Sequence, residues 1–169
     1  EKLVDTIRES EEAYQYLVEN SSQGLLLYQD NRVIKANQAF ADLNDMTLPE
    51  LYNITNERLR LLIHPDDREK TFAYISEVGA GQVASSRQEF RLLLGNGQIR
   101  WVEFTPIRIN FMGRPALQIT AIDRTGRKHA ELALARSEER YRALAEASQD
   151  MIYILDADGR VKYTNQYSA

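Results

Sequence analysis

The sequence predicts an α+β fold, in which one five-stranded antiparallel sheet carries short helices on one of its faces. The strongest indication is a change of period from Ser85 onward, where apolar and polar residues begin to alternate. Turn-forming residues at 95–97 and 111–113 divide this stretch into three strands, of which the first contains residues 89–94 and the others span 98–110 and 115–122. The pattern therefore predicts three consecutive hairpinned strands.

Two further strands are predicted near the start of the chain. Residues 25–29 and 32–36 are apolar stretches separated by Asp30 and Asn31, residue types that tolerate turn conformations. These strands and the three later ones make up the five of the sheet.

Short helices are predicted between the two groups of strands. Asn37 is a suitable N-cap for a helix over 37–43, and two single turns are expected near Pro49 and over 57–62. A longer helix begins at Pro65, where Asp66 and Asp67 face the positive end of the helix dipole, and it ends at residues 79–81.

Helices are also predicted on both sides of this domain. A stripe spaced 4-3-4-3-4, with no Gly or Pro inside, indicates a helix over residues 3–21. Residues 124–148 are predicted to form a second helix, with alternating charges around the same kind of stripe. The larger stripe residues of the two helices are Leu3, Ile7, Tyr14, Leu17, Leu134, Tyr141 and Leu144.

The chain repeats part of itself. Residues 10–21 read SEEAYQYLVENS, and residues 137–148 read SEERYRALAEAS, a shift of 127 positions. After each segment come an apolar stretch, a polar turn and a second stretch ending in Asn-Gln, with one extra residue in the second turn. We interpret this as one complete module followed by the opening elements of another.

The composition excludes several classes of protein. The chain has 169 residues with 43% hydrophobic and 27% charged residues, typical of a globular protein. A net charge of −4 gives no reason to expect nucleic-acid binding, and no apolar run is long enough to span a membrane. No signal-peptide pattern is present at the start. We therefore expect a soluble, cytoplasmic protein, and we expect this segment to make no contact with a membrane.

Four segments in this order resemble motifs of PAS domains, the sensory modules of bacterial and archaeal signalling proteins. They are Asn37–Phe40, the His-Pro-Asp-Asp-Arg signature of one large PAS subfamily within 63–68, Phe90-Arg91 with Gly97 and Arg100–Val102, and Asp123–Lys128. The last segment resembles the family's exit motif, Asp-Ile-Thr-x-Arg-Lys, with Arg124 in place of Ile. Asp45 and Met46 stand where the family often has Gly and Tyr.

The resemblance implies a PAS fold and a division of the chain into four parts. Residues 1–22 are expected to form an N-terminal linker helix, and residues 23–125 the PAS domain. Residues 126–148 are expected to form a second linker helix, and residues 149–169 the truncated start of a second PAS domain.

The space between sheet and helices is the candidate ligand site. Ordinary core packing is the favoured explanation for the apolar residues there, and a ligand the less favoured one. Trp101 alternates with Val102 and Phe104, so we expect it on the other face of the sheet, against the N-terminal helix; stacking on a planar ligand is the less favoured alternative. The residues expected to line the site are Leu26, Phe72, Ile75, Phe90, Leu92, Val102, Phe104, Leu117 and Ile119.

The resemblance also limits the cofactor. Flavin-adduct and coumaric-acid photoreceptors of this fold need a cysteine, and the chain has none. Haem-binding members use a histidine in the helix after the His-Pro-Asp-Asp-Arg signature, but residues 69–75 contain no histidine and Thr71 lies near that position. We expect no such cofactor; non-covalent flavin stays open without support, and an unknown small metabolite is a candidate ligand.

Neither histidine indicates chemistry of its own. We expect His64 to cap the helix that follows, rather than to bind a metal with Asp66 and Asp67. His129 is expected on the solvated surface of its helix, since the proline of a kinase phospho-acceptor box is missing. No catalytic constellation is visible, so the segment itself is predicted to be non-catalytic.

The resemblance therefore implies a sensory or regulatory module of a sensor histidine kinase, joined to adjacent PAS and output domains. We expect it to form a homodimer through its flanking helices and to relay ligand-induced or conformational signals along them. The alternative is a ligand-free module for dimerisation and protein interaction, whose output domain could be a cyclic-dinucleotide enzyme.

Overall fold

A computed structural model describes residues 2–168 of the chain, and side chains for residues 8–167. The chain divides into two compact units, one up to Thr125 and the other from Gly126 onward. The helices and strands of the first unit are α1 (Lys2–Glu19), β1 (Gly24–Gln29), β2 (Arg32–Ala36), α2 (Gln38–Leu43), α3 (Leu48–Tyr52), α4 (Asn56–Leu61), α5 (Pro65–Ala80), β3 (Gln88–Leu93), β4 (Ile99–Phe111) and β5 (Arg114–Asp123).

The five strands form one antiparallel sheet in the order β2-β1-β5-β4-β3. This confirms the predicted α+β fold and the three hairpinned strands between Ser85 and Ile122. Asp30 and Asn31 both have positive φ, as a two-residue hairpin with the twist of its strands requires, and Met112 and Gly113 do the same between β4 and β5. β5 is the central strand and pairs with β1, with Gly24 opposite Ala121.

The β1–β2 hairpin contains a bulge that the alternation of residues did not predict. Leu27 pairs with Lys35 and Tyr28 pairs with Val33, so Ile34 is the extra residue of β2. A bulge of this kind bends the strand, and the hydrophobic pattern of five residues is too short to reveal it.

The short helices begin where the sequence predicts. The Asn37 side chain accepts a hydrogen bond from the backbone N–H of Phe40 at the start of α2. Thr47 and Glu50 form a capping box on α3. At the start of α5 the His64 ring accepts from the N–H of Asp66, which confirms its predicted role as a cap, and the helix ends at Gly81 with φ of 75°.

The core lies between the helices and one face of the sheet. Its buried residues come from β1 to β5, from α2 and from α3, and Leu51 is fully buried. Tyr74 and Ile75 of α5 pack against this cluster. Helices and sheet thus bury one continuous apolar layer, as the fold class requires.

The second unit contains α6 (Thr125–Ala147, whose first residue belongs to the first unit), β6 (Tyr153–Leu155), β7 (Val161–Thr164) and a single 3₁₀ turn (Gln166–Ser168). The β6–β7 hairpin repeats the first one, including its bulge, since Ile154 pairs with Tyr163 and Leu155 with Val161. Shifting Leu27 and Tyr28 by 127 positions gives Ile154 and Leu155, so the bulge falls at the equivalent place.

The described residues carry neither a membrane-spanning helix nor a metal-binding cluster. None of their helices combines the length and the apolar character needed to cross a bilayer. They also contain no group of three or more His, Cys, Asp or Glu side chains arranged to hold a metal ion.

Candidate functional site

The space between sheet and helices is occupied by aromatic side chains. The ring of Phe104, which is 3% exposed, lies edge-on to Phe90 at 5.0 Å between centroids and to Tyr74 at 6.2 Å. Edge-to-face pairs of this kind stabilise a core beyond their buried area. These three rings therefore fill much of the candidate ligand site with protein side chains.

The structure brings most of the predicted lining residues together. Leu117 lies against α5, where a Cβ atom on Gly79 would be 3.4 Å from its Cδ1. Phe72 is not part of the core cluster. Its ring lies against the guanidinium of Arg60 in α4, with the Arg60 Cζ 4.8 Å from the ring centroid. The predicted lining residues that belong to the core cluster or pack on it are Leu26, Ile75, Phe90, Leu92, Val102, Phe104 and Ile119. Binding of a ligand by these residues stays a prediction.

A small cavity remains beside this aromatic cluster. Its volume is about 60 Å³, and Thr71, Tyr74, Gln88 and Phe104 are among its lining residues. This volume is small beside the roughly 300–1,000 Å³ of ordinary small-molecule pockets. Thr71, which the sequence analysis places near the position of a haem ligand, is buried there.

The His-Pro-Asp-Asp-Arg turn joins α5 to the edge of the sheet. Arg91 of β3 donates from Nε to Asp67 Oδ2 at 2.9 Å and from Nη2 to Asp67 Oδ1 at 2.8 Å. The Arg91 guanidinium holds the pKa of the Asp67 carboxyl below its usual range. The backbone N–H of His64 also donates to the Arg91 carbonyl, so the segment before α5 covers the edge of β3.

On the entry side, Asn37 ties α1 to the sheet. Its Oδ1 accepts from the N–H of Leu25 at 2.8 Å, and its Nδ2 donates to the carbonyls of Val18 and Gln23, both at 2.9 Å. Asn37 is fully buried. One side chain thus connects the last turn of α1, the first strand and the start of α2.

On the exit side, Thr125 ties the start of α6 to the sheet. Its Oγ1 accepts from the N–H of Trp101 in β4 at 2.9 Å, and its own N–H donates to Asp123 Oδ1 at 2.8 Å. The N–H of Arg124 donates to the Trp101 carbonyl at 2.7 Å. Because Gly24 lies opposite Ala121, the entry and the exit lie at the same end of the sheet.

Arg100 connects α2 to this exit. Its Nη1 donates to the carbonyls of Asp42 and Leu43, each at 2.8 Å, and its Nη2 pairs with Asp45 at 2.8 Å. Its Nε lies 3.9 Å from Asp123. One side chain thus contacts both the end of α2 and the exit motif. Sequence reasoning missed this role of Arg100, since its partners are mostly backbone carbonyls distant in the chain.

The opposite face of the sheet carries two features. Trp101 lies there, and the Arg91 guanidinium is 5.8 Å from its ring, within cation–π range. Tyr14 and Val18 of α1 flank a groove of about 160 Å³ on this face, together with Leu27 and Phe111 among others. The predicted contact of Trp101 with the N-terminal helix stays a prediction.

The apolar stripes predicted on the flanking helices are exposed within this single chain. Tyr14 and Leu17 of α1 are exposed, and so are Leu134, Tyr141 and Leu144 of α6. Leu3 and Ile7 lie outside the residues whose side chains are described.

The second unit contains the counterpart of the entry. Asn165 accepts from the N–H of Ile152 at 2.9 Å and donates to the carbonyls of Ala145 and Asp150, at 2.8 and 2.9 Å. Glu146 of α6 also accepts from the Tyr163 hydroxyl at 2.6 Å. This bond, together with the N–H of Gln166, lowers the pKa of the Glu146 carboxyl.

Family models match both units of the chain. A model described as a PAS fold matches residues 33–109, and one described as a PAS domain matches residues 139–168, so together they cover more than half of the chain. Neither match tests the predicted subfamily, which stays a prediction.

A curated protein, a kinase, is similar to nearly the whole of this chain. Sporulation kinase E of Bacillus subtilis (strain 168) is 25% identical over 159 residues, which are 94% of this chain and 19% of that protein. This chain thus spans about a fifth of the length of the kinase.

Two solved structures are similar over most of the chain. A sensory box histidine kinase/response regulator from Burkholderia thailandensis E264 is 25% identical with a TM-score of 0.59, over 77% of this chain and 98% of that one. A PAS domain of an HTR-like protein from Haloarcula marismortui has 18% identity and a TM-score of 0.59, over 72% and 98% of the two chains, and supports the fold alone. The chain belongs to the PAS family and is similar to the PAS domains of sensor histidine kinases.

Proposed function

We propose that this segment is the sensory module of a sensor histidine kinase, and that it relays conformational signals to the following domains through its flanking helices. The observation that carries the proposal is the joint anchoring of both helices at one end of the sheet. Asn37 bonds the end of α1 there, and Thr125 bonds the start of α6 to Trp101. A change in sheet strain or in the position of α2 would therefore act on both helices.

The proposal includes a homodimer formed through these helices. Exposed apolar side chains at heptad spacing on α6, namely Leu134, Tyr141 and Leu144, cannot be buried by one helix alone. Surrounding them are charged residues, of which Arg127 and Glu131 form an ion pair at 2.8 Å. An apolar seam with charged flanks suits a parallel coiled coil better than a solvated single helix.

The proposed stimulus is a small metabolite or a conformational change, rather than a bound chromophore. The absence of cysteine excludes a flavin adduct, and Thr71 supplies no haem ligand at the expected position. The cavity near Tyr74 has a volume of about 60 Å³ and would have to widen to hold a metabolite. We place the module in the cytoplasm, where the kinase domains of such a protein would meet ATP.

Autophosphorylation of the full-length protein that carries this segment tests the proposal. Incubated with radiolabelled ATP, it should form acid-labile, base-stable phosphohistidine. The Thr125→Val variant, which loses the acceptor for the Trp101 N–H, should change the rate several-fold, and Thr125→Ser should keep the rate of the parent. Absence of phosphohistidine, or identical rates in all three proteins, would refute the proposal.

A further inference from the structure

A buried asparagine with the same backbone partners occurs in both modules. Asn37 and Asn165 are 0% and 2% exposed, and each is buried with its amide fully used. Asn37 accepts from Leu25 of β1, Asn165 accepts from Ile152 directly before β6, and both donate to a carbonyl in the last turn of the preceding helix. A buried side-chain amide with donors and acceptors all satisfied fixes its surroundings tightly.

The two sets of partners correspond position by position. Shifting Val18, Gln23 and Leu25 by 127 residues gives Ala145, Asp150 and Ile152, the partners of Asn165. The backbone N–H groups of the asparagines also donate to the carbonyls of Leu25 and Ile152, at 3.1 and 3.0 Å. The agreement holds although only some of the surrounding side chains are the same, because it needs nothing but backbone groups and one amide.

We propose that Asn37 and Asn165 are positioning residues that fix the rotation of each helix relative to the strand that follows it. Because α6 starts at Thr125, which bonds to Trp101, and ends next to Asn165, it is bonded at both ends. A rotation produced at the exit of the first sheet would then reach the first strand of the next module instead of being lost in a flexible joint. This inference rests on the proposed relay function and deepens it.

Substitution by aspartate separates the two roles of the side chain. Asp keeps the acceptor oxygen for the N–H groups of Leu25 and Phe40, and it is itself a good N-cap. It loses the donated bonds, and a carboxylate would face the carbonyl oxygens of Val18 and Gln23 at about the distance at which these now accept. Asn37→Asp should therefore release α1 while α2 and the sheet stay intact.

Distances between spin labels measure this release. The chain has no cysteine, so cysteines introduced at the exposed positions Glu11 of α1 and Ala73 of α5 can be labelled selectively. The doubly labelled chain is mixed with an excess of unlabelled chain, so that double electron–electron resonance at pH 7.5 reads only the distance within one chain of the proposed dimer. The parent should then give one narrow distance distribution. Asn37→Asp should broaden it at least twofold. Asn44→Asp is the matched control, since Asn44 is also buried and also donates to a backbone carbonyl, that of Phe40, but has no bond to α1.

The second module provides an independent pair of labels. Cysteines at Ala135 and Lys162 report on α6 and its hairpin, and Asn165→Asp should broaden their distances while Asn37→Asp should not. If Asn37→Asp fails to fold, this second pair decides the question. In the parent, the Asn37 side-chain amide protons should also exchange with solvent at least tenfold more slowly than those of an exposed asparagine, whichever variants fold.

Unchanged distance distributions in both aspartate variants, or fast exchange of the Asn37 amide, would overturn the inference. That result would leave the relay proposal standing, because it depends on autophosphorylation and on Thr125. Conversely, a protein without kinase activity would refute the relay proposal and leave the measured distances unaffected.

Discussion

Asn37 and Asn165 lie 128 residues apart and make the same hydrogen bonds to backbone groups of their two modules. In each case Nδ2 donates to the last turn of a helix, to the carbonyl of Val18 at 2.9 Å or of Ala145 at 2.8 Å. The hydrogen-bond pattern of the asparagine is therefore repeated together with the sequence around it. The extra residue in the second hairpin turn accounts for the shift of 128 instead of 127.

The ion pair of Arg91 and Asp67 should stabilise the first unit. Asp67→Asn removes the charged acceptor of two short bonds, and we expect the melting temperature at pH 7 to fall by roughly 5 °C. Asp66→Asn is the control, because Asp66 is mostly exposed and lies 3.2 Å from Arg91 through a single bond. Equal losses in the two variants, measured by circular dichroism, would contradict the assignment.

The same pair should make stability depend on acid pH. Because the folded-state pKa of Asp67 lies below its unfolded value, its contribution is present above the ordinary carboxyl pKa of about 4 and is lost as pH falls through the folded value. The difference in melting temperature between the parent and Asp67→Asn should therefore shrink from pH 5 to pH 2. A difference that stays constant over this range would argue against the pair.

Phe104 should contribute most to the core among the aromatic residues. Phe104→Ala removes a buried ring with two edge-on neighbours, and the free energy of unfolding should fall by about 3–5 kcal/mol. Phe72→Ala, which removes a half-buried ring under Arg60, should cost less than half as much. Urea unfolding followed by circular dichroism measures both, and the reverse order would contradict the described core.

Gly24 is expected to tolerate no side chain. A Cβ atom there would lie 3.0 Å from the Phe40 Cα and 3.3 Å from the Ala121 carbonyl oxygen, both of them backbone atoms. Gly24→Ala should reduce the free energy of unfolding by about 1–3 kcal/mol. Gly95→Ala has open space around it and should change stability by less than about 0.5 kcal/mol. The site would be wrongly described if the two substitutions had equal effects.

Thr125 should protect the amide of Trp101 from exchange. Thr125→Val removes the acceptor at 2.9 Å and should raise the hydrogen-exchange rate of the Trp101 N–H roughly tenfold, whereas Thr125→Ser should keep the rate of the parent. Labelling tryptophan with ¹⁵N at its backbone nitrogen isolates this amide in the nuclear magnetic resonance spectrum, since Trp101 is the only tryptophan. An unchanged rate in Thr125→Val would show that the exit is held by other contacts.

Most of the fold could be predicted from the sequence, because period and turn chemistry act locally. The three hairpinned strands follow from alternation and from the turns at residues 95–97 and 111–113, and the helix starts follow from Asn37, Pro49 and Pro65. The bulge at Ile34 could not be predicted, because it shifts only one residue in a short strand. The position of β5 beside β1 depends on packing over the whole sheet.

The site was predicted less completely. Residues of the core were found, since burial follows hydrophobicity, but Phe72 is turned towards Arg60 by its place on α5. The bonds of Asn37, Arg100 and Thr125 to the backbone of distant segments leave no pattern in the local sequence. Only the repeat of Asn-Gln after both hairpins pointed to Asn37 and Asn165 together.

The mass of the protein in solution tests the central claim, a relay through paired helices, most directly. Multi-angle light scattering at about 100 µM should give twice the 19.5 kDa of one chain. Leu17→Asp and Leu134→Asp, which place a charge on exposed stripe positions of α1 and α6, should lower the mass towards that of a monomer without changing the circular dichroism spectrum. A monomeric parent, or variants that remain dimers, would contradict the account.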